Sequence, residues 1–434
     1  MQISLPYDTF VLDNGLRVFL HEHHATPLVS VNLWYHVGSA SERPGRTGFA
    51  HLFEHLMFEG SKHVPPGQFD NLLESLGATN NGSTNPDRTN YWEDVPSNGL
   101  EVALWLEADR MGWLADAMTQ ERLDGQRDVV RNERRQSYEN RPYGLAFETI
   151  LAALYPSEHP YSWPTIGSMA DLAAATMDDV LAFFRTWYTP GNATLAIAGD
   201  IDAHHARALV ERYFAEIPAG GAVQPVGATP VALARDVHQV LEDDVQLARL
   251  YMTWHSPAAY AEGDAEMEAI AQVLADGKAS RLYRSLVYEK QVAQSVSAFQ
   301  DGGRLGSAFY IVITARPGVA LGPLEDEVRS TIAALATQGV RSEEVERARN
   351  HMETAFVDEL QNVGGFGGRA DRLNNYWFFV GDAGYSAQDL ERYRAVTADH
   401  VRDVARRVLT RPCVTLSVVP RGRRELAAGS EGDA

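Results

Sequence analysis

One order of strand-like and helix-like segments runs twice along this chain of 434 residues, and that duplication restricts the fold more than any single motif does. In the first pass, VFLHEHHATPLVSVNLWYHVG reads as two β runs around a turn, with Val29, Val31, Leu33 and Tyr35 alternating on the second. A helical pattern begins near Thr47. The stretch from Asn192 to Ile201 is continuously apolar, as a strand covered on both faces requires, and an amphipathic helix follows through Ala206, Leu209, Val210 and Phe214. Residues 217–236 then hold Pro and Gly without a sustained period and read as a linker. Beyond them the order returns: a strand at Ala248 to Trp254, a helix from about Asp264, strands near Val292 to Phe299 and Ala308 to Ala315, helices, and a last strand at Val414 to Val419. An offset of about 217 residues aligns Glu59-Gly60 with Asp276-Gly277. The expected organisation is a domain over 1–216, a linker over 217–236, a homologous domain over 237–420 and a disordered tail over 421–434.

Composition narrows the function by exclusion. A net charge of −20 argues against nucleic acid, which is bound mainly by clustered Lys and Arg, and suits basic peptides better. The lone Cys413 cannot form an internal disulfide. No apolar run approaches the roughly 18–20 residues that span a bilayer, so a soluble protein is expected. The start, MQISLPYDTF, lacks the build of a signal peptide, and the expected compartment is periplasmic after loss of a leader, with the cytoplasm as the alternative.

The chemistry concentrates in TGFAHLFEHLMFEGS. On a helix His51 and His55 are i and i+4, so both imidazoles leave one face and can grip one ion, with Glu54 beside them. With 14 histidines in the chain, such a pattern is expected by chance only about a few hundredths of a time. Phe49, Leu52, Phe53, Leu56, Met57 and Phe58 make the helix apolar nearly all round, hence buried, and buried imidazoles need a partner such as a metal. Zinc accepts His nitrogen readily and keeps a position for water, whose proton a neighbouring carboxylate, here Glu54, can take. A third ligand is expected on the helix within LDGQRDVVRNERRQSYEN. Glu133 lies i+4 from Val129 and i+3 from Val130, on a stripe shared by Gln126, whereas Glu121 and Glu139 read as solvated charges at the helix ends.

With these residues in place, the chain resembles the pitrilysin and mitochondrial processing peptidase superfamily of inverted HxxEH zinc peptidases, of the half-length bacterial type. DNGLRVFLHEHH, VGSASE, NNGSTNPDRTNYWEDVP, RDVVRNERRQ and AIAGDI look like the family's first half, and LADGKASRLYRSL like its second. The resemblance implies an α+β fold of two homologous α/β domains, each a mostly antiparallel sheet flanked by helices, forming half of a clam-shell chamber. It implies one zinc per chain on His51, His55 and Glu133, Glu54 as catalytic base, and extended peptides or unfolded segments as substrates. Substrate adds as a strand beside Asn81 and Gly82, which fall at the family's substrate-contacting positions.

Two departures carry further expectations. Gln126 stands seven residues before the third ligand, where the family usually has glutamate; as a neighbour of the ligands an amide can hydrogen-bond but lends no charge. The family's Arg and Tyr pair in the second half, which stabilises the oxyanion, aligns with Val287 and Gln294, and Glu268, Ala271 and Gln272 stand opposite His51, Glu54 and His55. A heterodimer with a homologous subunit supplying the pair is therefore expected ahead of a homodimer. The alternative is a non-catalytic assembly or scaffold subunit. HEHH at 21–24 and His204-His205 read as solvated surface histidines, and GGFGG at 364–368 as a hinge or chamber-lining segment.

Overall fold

The computed structural model describes residues 4–227 and 229–429. Its strands are β1 (Asp8–Val11), β2 (Arg17–Glu22), β3 (Leu28–Tyr35), β4 (Thr79–Thr84), β5 (Thr89–Pro96), β6 (Ala193–Gly199), β7 (Val237–Asp243), β8 (Arg249–Ser256), β9 (Ala293–Asp301), β10 (Ser307–Ala315) and β11 (Val414–Pro420). The helices are α1 (Phe49–Leu56), α2 (Gln68–Ser75), α3 (Leu100–Ala117), α4 (Gln120–Arg134), α5 (Ala146–Leu154), α6 (Met169–Ala174), α7 (Met177–Trp187), α8 (Ala203–Phe214), α9 (Asp264–Ala275), α10 (Gly322–Gln338), α11 (Ser342–Glu359), α12 (Arg369–Val380), α13 (Ser386–Arg394) and α14 (Ala398–Val408).

Two sheets form, ordered β1-β2-β6-β3-β5-β4 and β7-β11-β8-β10-β9. Apart from β1 the second repeats the first strand for strand. Each has one parallel pair, β2 with β6 and β7 with β11, in an otherwise antiparallel ladder. The reason lies in residue type. The apolar run of β6 is buried at every position and takes an interior place, as β11 does in the other sheet. The polar TNNGST of β4 cannot be covered on both faces and ends at the sheet's edge.

The chain packs into two compact units that are not its two continuous halves. One comprises residues up to Arg134 with 163–226 and 356–389, and the other comprises 135–162, 227–355 and 390 onward. Helix α5, from the first half, lies on β8 and β11, and α12, from the second, lies on β3 and β6. The described residues of 217–236 carry neither helix nor strand. The tail departs from expectation over 421–429: Leu426, Ala427 and Ala428 are buried, and the Ala428 N–H donates to Ser417 Oγ at 2.9 Å. Residues 430–434 lie outside the described range. No helix among the described residues is long and apolar enough to cross a membrane.

In the unit holding the first sheet, one buried charge group ties β5 to α3. Arg110 reaches Glu93 and Glu107 while its guanidinium lies over the rings of Phe69 and Tyr91, 4.5 and 4.3 Å from their centroids. Removing one member would leave an uncompensated buried charge. The group fixes Tyr91, whose ring lies against Gly82 of β4.

Candidate metal centre

Three chain segments converge on the first sheet's unit. Helix α1 begins at Gly48, whose left-handed backbone (φ 87°) favours glycine. Gly48 offers no capping side chain, and Glu42 serves instead, accepting from the N–H groups of Gly48 (2.9 Å) and Ala50 (2.7 Å). Just before it, Thr47 donates through N–H and hydroxyl to Asp171 Oδ2, at 2.9 and 2.7 Å. These bonds set the rotation of the helix. Its apolar residues Phe49, Leu52, Phe53 and Leu56 are buried, and His51, Glu54 and His55 face the remaining open side.

Glu133 comes from the end of α4. Its Oε2 lies 3.7 Å from His51 Nε2 and 3.4 Å from His55 Nε2. Ligand bonds of about 2.0–2.2 Å in tetrahedral geometry put neighbouring ligand atoms about 3.3–3.5 Å apart, so two nitrogens and one oxygen fit a shared ion. Among the described residues this is the single group of three or more His, Cys, Asp or Glu side chains with ligand atoms close enough to hold one. The helical stripe that carries Glu133 runs through Val130, which is fully buried, and not through Val129, which is 46% exposed. Glu121 and Glu139 are exposed, and neither belongs to the group.

The electrostatics follow from placement. Burial pushes His51 down to about 4, which keeps its ring neutral and its lone pair available. Burial also disfavours charge on His55, but the Glu133 carboxylate outweighs it and holds His55 above the ordinary range. The hydrogen bond from His55 in turn lowers Glu133. Burial raises Glu54, against the Thr84 hydroxyl, which donates to its Oε2 at 2.6 Å. The Gln126 amide donates to Glu59 Oε1 at 2.6 Å.

Strand β4 closes the site. A Cβ on Gly82 would meet Glu54 Cγ at 3.2 Å and the rings of Phe58 and Tyr91 at 3.3 Å, so glycine lets the strand approach the helix. Asn81 is exposed, and its Oδ1 accepts from the Gly82 N–H at 2.8 Å. Among the described residues β4 pairs only with β5, which leaves its outer edge open. The sequence carried no sign of Glu42 as a cap or of Thr84 as a partner of Glu54. Elsewhere in this unit, His21 departs from expectation: it is buried, and its Nδ1 bonds to Pro6 O at 2.7 Å. Phe366 of the GGFGG segment stands edge-on to Trp92, with centroids 5.6 Å apart.

In the second unit Val287 lies in a single π turn (Tyr283–Glu289), packed against the apolar core, and Gln294 is exposed on β9. Of the residues opposite the site, Ala271 is buried within α9 and Glu268 accepts from the Tyr393 hydroxyl at 3.5 Å.

Fold and site together define a duplicated α+β protein in which one unit carries a two-histidine, one-carboxylate group of metal-binding form. The chain belongs to peptidase family M16: the model described as insulinase (peptidase family M16) matches residues 17–166, and that described as peptidase M16 inactive domain matches 174–352. It is similar to the zinc protease PqqE of Helicobacter pylori, 27% identical over 366 residues, covering 83% of this chain and 82% of that protein. It is also similar to the uncharacterized zinc protease YmxG of Bacillus subtilis, 21% identical over 417 residues, covering 95% and 98%. The crystal structure of a protease from Helicobacter pylori shares the fold, with a TM-score of 0.88, 23% identity and coverage of 96% and 100%. The family and the two-sheet α+β fold expected from sequence are both borne out.

Proposed function

We propose that this chain is a zinc-dependent endopeptidase for extended peptides or unfolded segments, and that it is the catalytic subunit of a heterodimer. The observation that carries the reading is the position of Glu54, a partly buried carboxylate beside three converging ligand atoms and beneath an open strand edge. His51, His55 and Glu133 would hold the ion, which when bound supplies a Lewis acid and lowers the pKa of its water. Thr84 occupies Oε2 of Glu54, which leaves Oε1 to take the proton of the attacking water and later to pass it to the leaving amine. Gln126, held by Glu59, is the neutral neighbour of the ligand helix. The substrate lies along β4 as an added strand, its main chain exchanging bonds with the edge, and its carbonyl can replace Asn81 Oδ1 at the Gly82 N–H. The relatives' names as zinc proteases support the metal and the reaction.

What the chain does not offer is a charged donor for the oxyanion at Val287 and Gln294. Neither side chain can stabilise developing negative charge as a guanidinium does. A homologous partner supplies that group. The test is peptidase assay of the zinc-loaded chain alone and with a homologous chain carrying Arg and Tyr at those positions. Activity only in the mixture is expected. Full activity of the isolated chain contradicts the heterodimer, and a wild-type chain that takes up no zinc contradicts the zinc peptidase.

A further inference from the structure

The third ligand sits at an exposed point of the chain's path. One residue after Glu133 the chain leaves the first unit, and it returns only at Trp163. Helix α4 does not continue as an α-helix either, but widens into a π turn at Arg135–Glu139. Something must fix the end of α4 relative to α1, because the ligands on the two helices have to meet within a few tenths of an ångström. The side chain next to Glu133 links the end of α4 to the segment that abuts α1. Arg134 is buried, and its Nη1 donates to the carbonyl of Gly167 at 2.8 Å. Gly167 in turn abuts the residue that starts α1: a Cβ on Gly167 would lie 2.4 Å from Gly48 Cα, and a Cβ on Gly48 would lie 2.7 Å from Ile166 O. Both glycines have positive φ, 72° and 87°. The next residue, Ser168, donates its N–H to Thr47 Oγ1 at 3.1 Å, and Thr47 is itself anchored to Asp171. One short segment, Ile166 to Asp171, thus grips the start of α1 and the end of α4.

We infer that Arg134 is a positioning residue for the metal centre: through Gly167 it sets the Glu133 carboxylate against the two histidines of α1. The inference rests on the zinc reading above. Partners that orient metal ligands are typically worth about 10–100-fold in affinity. Zinc affinity by chelator competition, together with the visible spectrum of the cobalt-substituted protein, is measured for wild type, Glu133→Gln, Arg134→Met, Arg134→Lys and Arg131→Met. Arg131, on the same helix, pairs instead with Asp128. Arg134→Met is expected to weaken zinc about 10–100-fold and to move the cobalt spectrum toward that of Glu133→Gln, with Arg131→Met unchanged. Arg134→Lys keeps the stem and one donor, gives a smaller weakening in the same direction, and decides the matter if Arg134→Met does not fold. Wild-type affinity and spectrum in the folded variant overturn the inference. If Glu133→Gln binds zinc as wild type does, the ligand assignment falls and takes this inference with it.

Discussion

In each sheet's unit a helix starting from a left-handed glycine packs beside the edge strand, α1 from Gly48 against β4 and α9 from Gly263 against β9. In the second unit no histidine stands at that seam: buried Ala271 takes the place of Glu54, and half-buried Glu268 and Gln272 take those of His51 and His55. In the first unit the corresponding seam holds His51, Glu54 and His55 on the helix and Gly82 and Thr84 on the strand. The frame therefore does not depend on the site. One copy places two histidines and a glutamate there, with Glu133 close to both imidazoles, and the other places Glu268, Ala271 and Gln272.

The contrast can be broken in order of size. Glu54→Gln, assayed in the active complex, should retain zinc and lose turnover by roughly a thousandfold; unchanged turnover would remove the site from the first unit. Trp254→Ala truncates a side chain 1% exposed in the second unit's core and should lower the unfolding free energy by about 3–5 kcal/mol. The zinc affinity of the protein that remains folded should stay at the wild-type value. Gly82→Ala forces a methyl against Glu54, Phe58 and Tyr91, and turnover should fall roughly tenfold, with zinc affinity little changed.

The smallest effect concerns acid stability in the second unit. Burial alone would raise the Glu344 carboxyl, but the Arg281 guanidinium, with the Arg341 N–H, holds it down to about 2. A carboxyl lowered in the folded state stabilises fully above its ordinary value and loses that contribution as pH falls from about 4.5 toward 2. Glu344→Gln should therefore cost about 1 kcal/mol at neutral pH and flatten the loss of stability across that window, as chemical denaturation at several pH values would record.

Much of this was legible in sequence because it rests on local periodicity. The i, i+4 histidines needed only a helix, and the buried runs of β6 and β11 needed only an interior strand. Glu133 was legible through Val130, although Val129, equally apolar, proved exposed. What stayed hidden depends on distant chain segments. An amphipathic stripe does not say which sheet covers it, so the placement of α5 on β8 and β11 and of α12 on β3 and β6 had no local signal. Glu42 looks like any surface glutamate until α1 turns two N–H groups toward it, and His21 looks solvated until Pro6 returns to accept its bond.

The central claim, that one unit of a duplicated frame holds a single zinc, is tested most directly by metal content. Elemental analysis of purified wild type and of Glu133→Gln and His55→Ala should give one zinc per wild-type chain and a clear loss in both variants under the same chelator. Two zinc ions per chain, or full retention after either substitution, would contradict it.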